Sequence, residues 1–360
     1  MKKNSKWRLI KKVAKKHKRT LTFKRKKKAK RKAVLLFKER LKSNILDVER
    51  RLNKYANLKA PPTLSLNLAP RQFLDFINRF EKVKSEIGNK SLYFDLSDVD
   101  NIDFSGISLL IALRYKLQLY NIDFNGVNPR KKELRKLLDE YQFLEQMGLR
   151  RSYENIHFSV GKKNDKITIK GDSKVIPDLG TEIAEYVSEK LFGETCHLND
   201  GLQIMLLELM ANTFRWSDQV SGHNLWLLTM AFNKEEERIE FQFVDFGIGV
   251  FESLNKSKIY ENWLGRALKT FKTNSSVFED MLNARSRIYK SSTGLYFRGK
   301  GIPSIKENYE RKFYDDVNIL TNNVFADLKQ EKYINLADSF SGTLVNWTID
   351  KNNQFYKNII

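Results

Sequence analysis

The chain has 360 residues, 41% hydrophobic content with 24 Phe and 14 Tyr, and a formal net charge of +22. That is ample apolar material for a packed core and excludes a chain disordered throughout. A single cysteine, Cys196, excludes a disulfide framework and a cysteine-rich zinc site and fits a reducing compartment.

No apolar run approaches the roughly 18–20 residues that span a membrane. The N-terminus is too basic, and lacks the apolar stretch, to be a secretory signal. The expected location is cytoplasmic. The four histidines, His17, His157, His197 and His223, form no pair with metal-ligand spacing.

The charge is concentrated at one end. Residues 1–60 hold 25 Lys+Arg against Glu39, Asp47 and Glu49, whereas residues 61–360 hold 40 of each sign. Residues 2–32 contain 18 basic side chains and no acid. Such a block repels itself and is expected to be extended or only transiently helical when free. It can neutralise nucleic-acid phosphates, with Trp7 and Phe23 available to stack on bases. An anionic membrane surface is a rival partner, and a solubilising arm is the plain alternative. Leu41, Ile45, Val48 and Leu52 recur at helical spacing and predict an amphipathic helix over 33–58. Ala60-Pro61-Pro62 then reads as a linker.

From 61 to 148 the pattern alternates strand and helix. Strands are expected at Leu64–Leu68, Ser91–Leu96 and Ile122–Phe124. Helices are expected at Arg71–Ile87, Ile107–Leu119 and Lys131–Tyr141. This predicts a small helix-covered α/β sheet. Residues 149–174 read as a polar junction with strands at His157–Val160 and Lys166–Ile169. From 175 to 360, two helices (Asp178–Leu191 and Asn199–Trp216) precede strands at Asn224–Asn233 and Arg238–Asp245. Glycine-rich turns, further helices and terminal strands follow. That grouping predicts an α+β sandwich.

The chemistry-bearing motifs lie in this last segment. Glu208 and Asn212 stand at i, i+4 on one helix face. An Asn oxygen is a hard ligand suited to Mg²⁺, and a carboxylate one turn away can activate a nucleophile. The strand FQFVD ends in Asp245-Phe-Gly247-Ile-Gly249. There a carboxylate can accept from an adenine amine while glycines let backbone approach the base. Gly299 and Gly301 open a helix whose N–H groups can face phosphates. Ser341-Gly342-Thr343 precedes a terminal strand. The plain alternative is a solvated Glu208–Asn212 face with glycines that only make turns.

In this order, these four elements resemble the GHKL ATP-binding fold of histidine kinases, anti-sigma-factor serine kinases, type II topoisomerases, heat-shock chaperones and MutL. The resemblance covers roughly 175–350. It implies ATP and Mg²⁺ as cofactors, Glu208 as general base, and Asn212 as the Mg²⁺ ligand. It also implies Asp245, Gly247 and Gly249 at adenine, Gly299 and Gly301 at phosphate, and Thr343 supporting adenine. Phe246 stands where many members carry a polar residue, and Phe251–Phe297 makes a long ATP lid. A phosphoacceptor histidine on a preceding helix pair is missing, which disfavours histidine autokinase activity.

Residues 63–148, with Leu92–Leu96, then Asp103-Phe-Ser105-Gly106-Ile107 and an apolar helix, resemble the STAS domain of anti-sigma-factor antagonists. In regulatory members the serine at the position of Ser105 is phosphorylated. Ser105 is therefore expected exposed at a helix N-terminus, where a phosphate is tolerated; simple helix capping by Asp103 and Ser105 is the other reading.

The expected architecture is a basic arm (1–60), a STAS-like domain (61–148), a junction (149–174) and a GHKL α/β sandwich (175–360). The expected activity is an Mg-ATP-dependent ATPase or serine kinase coupled to the STAS-like domain. The alternative is a nucleotide-gated scaffold that binds RNA or DNA through its arm. Further partners this architecture allows are the chain's own STAS-like domain, a regulatory protein and a second copy of the chain.

Overall fold

A computed structural model describes residues 54–141, 166–172, 175–193, 200–216, 225–256, 273–283 and 301–359, with Lys38 and Phe143. The chain divides into two compact units, Met1–Ala56 and Asn57–Ile360. The basic block and most of the expected 33–58 helix lie outside the described residues. The end of that expected helix is instead strand β1 (Tyr55–Lys59).

The unit from Asn57 begins with a small sheet and its helices. Strand β2 is only Thr63–Leu64, shorter than expected because the chain turns at Ser65 to reach helix α1 (Pro70–Glu86). Pro70 suits the first helical turn, where its missing N–H costs nothing. Phe73, Leu74, Phe76, Ile77 and Phe80 form the buried face of α1. Strand β3 (Ser91–Asp95) alternates, burying Leu92 and Phe94. A two-residue strand β4 (Asn101–Ile102) pairs in parallel with β2.

Helix α2 (Phe104–Leu119) follows, then β5 (Phe124–Val127), which runs parallel to β3. Helix α2 is thus the crossover that a parallel pair requires. The larger sheet has the order β1-β3-β5. Helix α3 (Lys132–Glu140) completes this half. Gly106 is required by close approach, since a Cβ there would meet the Leu64 carbonyl oxygen at 2.1 Å.

The second half is one antiparallel five-stranded sheet covered by helices. Its strands are β6 (Lys166–Asp172), β7 (Leu225–Asn233), β8 (Arg238–Asp245), β9 (Val317–Asp327) and β10 (Lys332–Asp350), in the order β6-β7-β8-β10-β9. Lys166–Asp172, expected at a junction, is therefore an edge strand of this sheet.

The helices are α4 (Leu179–Phe192), α5 (Asp200–Trp216), α6 (Val250–Lys256), α7 (Asn274–Leu282), α8 (Gly301–Glu310) and α9 (Gln354–Ile359). One sheet face packs on them through Trp226, Leu228, Phe241, Phe243, Ile319, Val345 and Trp347. Phe241 stacks on Trp347 at 5.0 Å and Trp226 on Phe243 at 5.5 Å. These pairs add about 1 kcal/mol each to simple burial.

The other sheet face is covered by α2, which packs on both β7 and β8. This explains a feature of the sequence. Ile107, Leu109, Leu110, Ile111, Leu113 and Leu117 are at most 1% exposed, and α2 is apolar on every side as far as Leu113. A helix apolar all round is buried all round. Helix α2 is shared between the small parallel sheet and the large antiparallel one. The fold is thus α/β followed by α+β, with the two halves in one compact unit.

Candidate functional site

The site end of the large sheet is a row of residues on its helix-covered face. Gly171, Trp226, Asp245, Thr343 and Thr321 are successive cross-strand partners through β6, β7, β8, β10 and β9. Strand alternation puts Asp245 on the same face as Phe241 and Phe243, and Thr343 on the same face as Val345 and Trp347. Gly171 makes room for the Trp226 indole, whose ring atoms would lie 1.8 Å from a Cβ there.

Asp245 is 6% exposed. Its Oδ1 accepts from the Gly247 N–H at 2.7 Å. Burial pushes its carboxyl up to about 6, against the pull of hydrogen bonds from Gly247 and from the Thr343 side chain and backbone. Gly249 adopts φ +78°, and Gly342 φ +143° with its Cβ position 2.3 Å from the Asp245 carbonyl oxygen. Thr343, Gly247 and Asp245 are thus brought into direct contact, and Gly249 shares their loop.

Glu208 and Asn212 lie one turn apart on α5, both half-buried. Asn308 near the end of α8 donates to the Gly201 carbonyl at the start of α5 (3.5 Å), and the two helices pack together. Gly301 is the first residue of α8, the helix that packs on the one carrying Glu208 and Asn212. Gly299 lies outside the described residues.

The long segment expected as a lid is in part core. Helix α7 buries Val277, Phe278, Met281 and Leu282 beside α8. Helix α6 likewise buries Phe251 and Leu254.

Ser105 is a correction. It is 5% exposed, not displayed. Its Oγ donates to Asp103 Oδ1 (2.5 Å) and accepts from the Leu66 N–H (2.8 Å). Asp103 Oδ1 also accepts from the Gly106 N–H (3.1 Å), which caps α2, and its Oδ2 accepts from Ser65 Oγ. A short aspartate linking a helix start to the preceding loop holds the serine inside.

The start of α2 also contacts the large sheet. With its amide oriented to satisfy both sides, Gln242 donates to the Ser105 carbonyl (3.1 Å) and to Asn346 Oδ1 (2.8 Å), and accepts from the Leu109 N–H (3.2 Å). Nearby, Tyr141 donates to Glu240, which also pairs with Arg238 at 3.1 Å. Burial pushes Glu240 above the usual carboxylate range despite those partners.

One contact links the small-sheet half to the Asp245 loop. Lys116 of α2 places its Nζ 4.2 Å from the centre of the Phe246 ring. Lys116 also pairs with Glu81 of α1 at 2.6 Å, and Glu81 with Lys84 at 2.7 Å. Burial alone would raise the Glu81 carboxyl, but Lys116 and Lys84 together hold it below its usual value. Phe246, unusual as a sequence feature, is 9% exposed and sits against the other half of the molecule. Lys116, Gln242 and Glu240 escaped the sequence reading because an isolated Lys, Gln or Glu carries no local signal of a long-range contact.

The STAS domain family model matches residues 34–158. The chain therefore carries a STAS domain, a regulatory type of module that often mediates protein contacts. The match starts well before residue 61, so part of the segment expected as arm and helix falls within it. No curated protein matches the chain. Among the described residues, no helix is long and apolar enough to cross a membrane.

Proposed function

We propose that residues 175–360 form a GHKL-type Mg-ATP site whose nucleotide state is coupled to the STAS domain, acting as an ATPase or a protein serine kinase. The observation that carries this reading is the Asp245 row. A buried carboxylate at a strand end is bonded to Gly247 and Thr343 and flanked by two positive-φ glycines. Such a group suits the amino edge of a purine, and the glycines leave backbone open to its ring.

Among the described residues no three His, Cys, Asp or Glu side chains gather as a metal site. Asn212, half-buried on α5, offers one amide oxygen, so a Mg²⁺ ion there would take its other ligands from nucleotide phosphate and water. The metal-bound nucleotide would supply the phosphoryl group. Gly299 and Gly301 would face the phosphates with backbone N–H groups. Glu208 would take the proton from a serine hydroxyl or from water.

Lys116 against Phe246 supports the coupling. A STAS side chain rests on the residue next to Asp245, so a change in the loop alters a contact made by α2. By linkage, the effect works in both directions. The buried Ser105 becomes a phosphoacceptor only when α2 opens.

The test is incubation of the full chain with Mg-ATP, followed by phosphate release and mass spectrometry. Turnover or phospho-Ser105, lost in Glu208→Ala, is expected. Neither product, in the presence of a regulatory partner as well, refutes the enzyme. The scaffold reading is favoured by the charge concentration in residues 2–32. It predicts salt-sensitive RNA or DNA binding that is lost on deleting those residues; equal binding by the truncated chain refutes it.

A further inference from the structure

The three consecutive β9 residues Thr321, Asn322 and Asn323 belong to none of the glycine motifs, yet each fastens a different piece of the site. Thr321 Oγ1 accepts from the Val250 N–H at 3.0 Å and lies 3.2 Å from the Gly342 carbonyl, to which it donates. Asn322 closes a two-point bridge. Its Oδ1 accepts from the Phe251 N–H and its Nδ2 donates to the Ile248 carbonyl, both at 2.9 Å. Asn323 Oδ1 accepts from Asn274 Nδ2 at 2.7 Å, at the start of α7. Asn335 of β10 adds a second tie there, accepting from the Ser275 N–H at 3.0 Å and donating to Ser275 Oγ at 2.9 Å.

The backbone is shaped for this. Asn322 has φ +48°, in the left-handed region that Asn tolerates better than most residues. It lies where the β9–β10 register shifts, between Asn335 and Thr343. Across from it, a Cβ at Gly249 would meet the Asn322 amide at 2.5 Å. Gly249 and Asn322 therefore require each other. The glycine leaves the space, and the asparagine fills it with hydrogen bonds to both sides of the loop.

We propose that Thr321-Asn322-Asn323 is a clamp that positions the Gly247–Phe251 loop at the nucleotide base, with Asn322 as its principal positioning residue, and that anchors α7 to the same strand. This rests on the nucleotide site proposed above. The strand thereby ties the two ends of the segment around the site, α6 and α7, to one rigid element.

The variant that isolates the clamp is Asn322→Gly, which keeps the positive φ and deletes both side-chain bonds. The full chain is used, with hydrogen exchange of amides 248–251 measured without nucleotide and titration with a fluorescent ATP analogue in Mg²⁺. Exchange in the loop is expected to rise and analogue affinity to fall, each on the order of ten-fold, the scale of one to two hydrogen bonds. Protection across β7 and β8 stays as in wild type, which reports an intact fold.

Unchanged loop exchange in Asn322→Gly overturns the clamp. Faster exchange with unchanged affinity overturns its positioning role. Absence of analogue binding by wild type overturns the nucleotide reading itself, and with it this role. Because that result appears without any variant, the two failures are distinguished.

Discussion

Asp245→Asn should make the nucleotide-free protein more stable while weakening nucleotide binding. Burial raises the carboxyl to about 6 from an ordinary 3.8. The folded state therefore prefers the protonated acid more than the unfolded chain does. Stability from this preference is fully present below about pH 4 and is lost as pH rises through about 6. At pH 7 the charged group stays buried at a cost of about 3 kcal/mol. An amide removes that cost. It also turns one acceptor into a donor toward Thr343 or Gly247, which costs about 1 kcal/mol.

The net expectation is a variant about 2 kcal/mol more stable at pH 7, or on the order of 4 °C in Tm. The advantage vanishes below about pH 4. Urea unfolding of both proteins at pH steps from 4 to 8 measures it. A variant less stable at pH 7, or a stability difference that does not change between pH 4 and pH 7, would refute the reasoning.

Two further predictions concern the contacts between the halves. Lys116→Met keeps the aliphatic stem and removes the cation over Phe246, an interaction of about 1 kcal/mol. Mg-ATP affinity should shift by roughly three- to five-fold, read by calorimetric titration, and an unchanged affinity would show that α2 does not sense the loop. Gln242→Ala removes the side chain that holds the Ser105 carbonyl and the Leu109 N–H. Stability should fall by about 2 kcal/mol, and any Mg-ATP-dependent phospho-Ser105 should accumulate faster than in wild type by mass spectrometry. Equal rates would mean that burial of Ser105 does not limit its modification.

Much of this layout was legible in the sequence wherever the signal was local. The alternation of Ser91–Asp95, the periodicity of α1 and the run of β8 into Asp245-Phe-Gly247-Ile-Gly249 each state their own element. The same holds for the STAS signature around Asp103-Phe-Ser105-Gly106. What was not legible depended on pairing at long range. The apolar run of α2 up to Leu113 reads as a helix, but its double burial only makes sense once the large sheet covers its second side. The expectation for Ser105, which local motif reasoning places at an exposed helix start, is reversed by a partner nearly 40 positions earlier, the Leu66 N–H that its hydroxyl accepts from while it donates to Asp103. Thr321, Asn322 and Asn323 look like ordinary polar strand residues, since their role comes from a register shift and from a loop some 70 positions earlier. Residues expected as a lid included the core helix α7, because a short apolar run between glycine boxes does not announce which layer it joins.

The central claim is that the Asp245 row and the helices facing it form a nucleotide site. Calorimetric titration of the full chain with Mg-ATP tests it most directly. The account predicts saturable binding at one site per chain, weakened at least ten-fold in Asp245→Asn. No saturable binding up to millimolar Mg-ATP, or equal affinity in the variant, would contradict it.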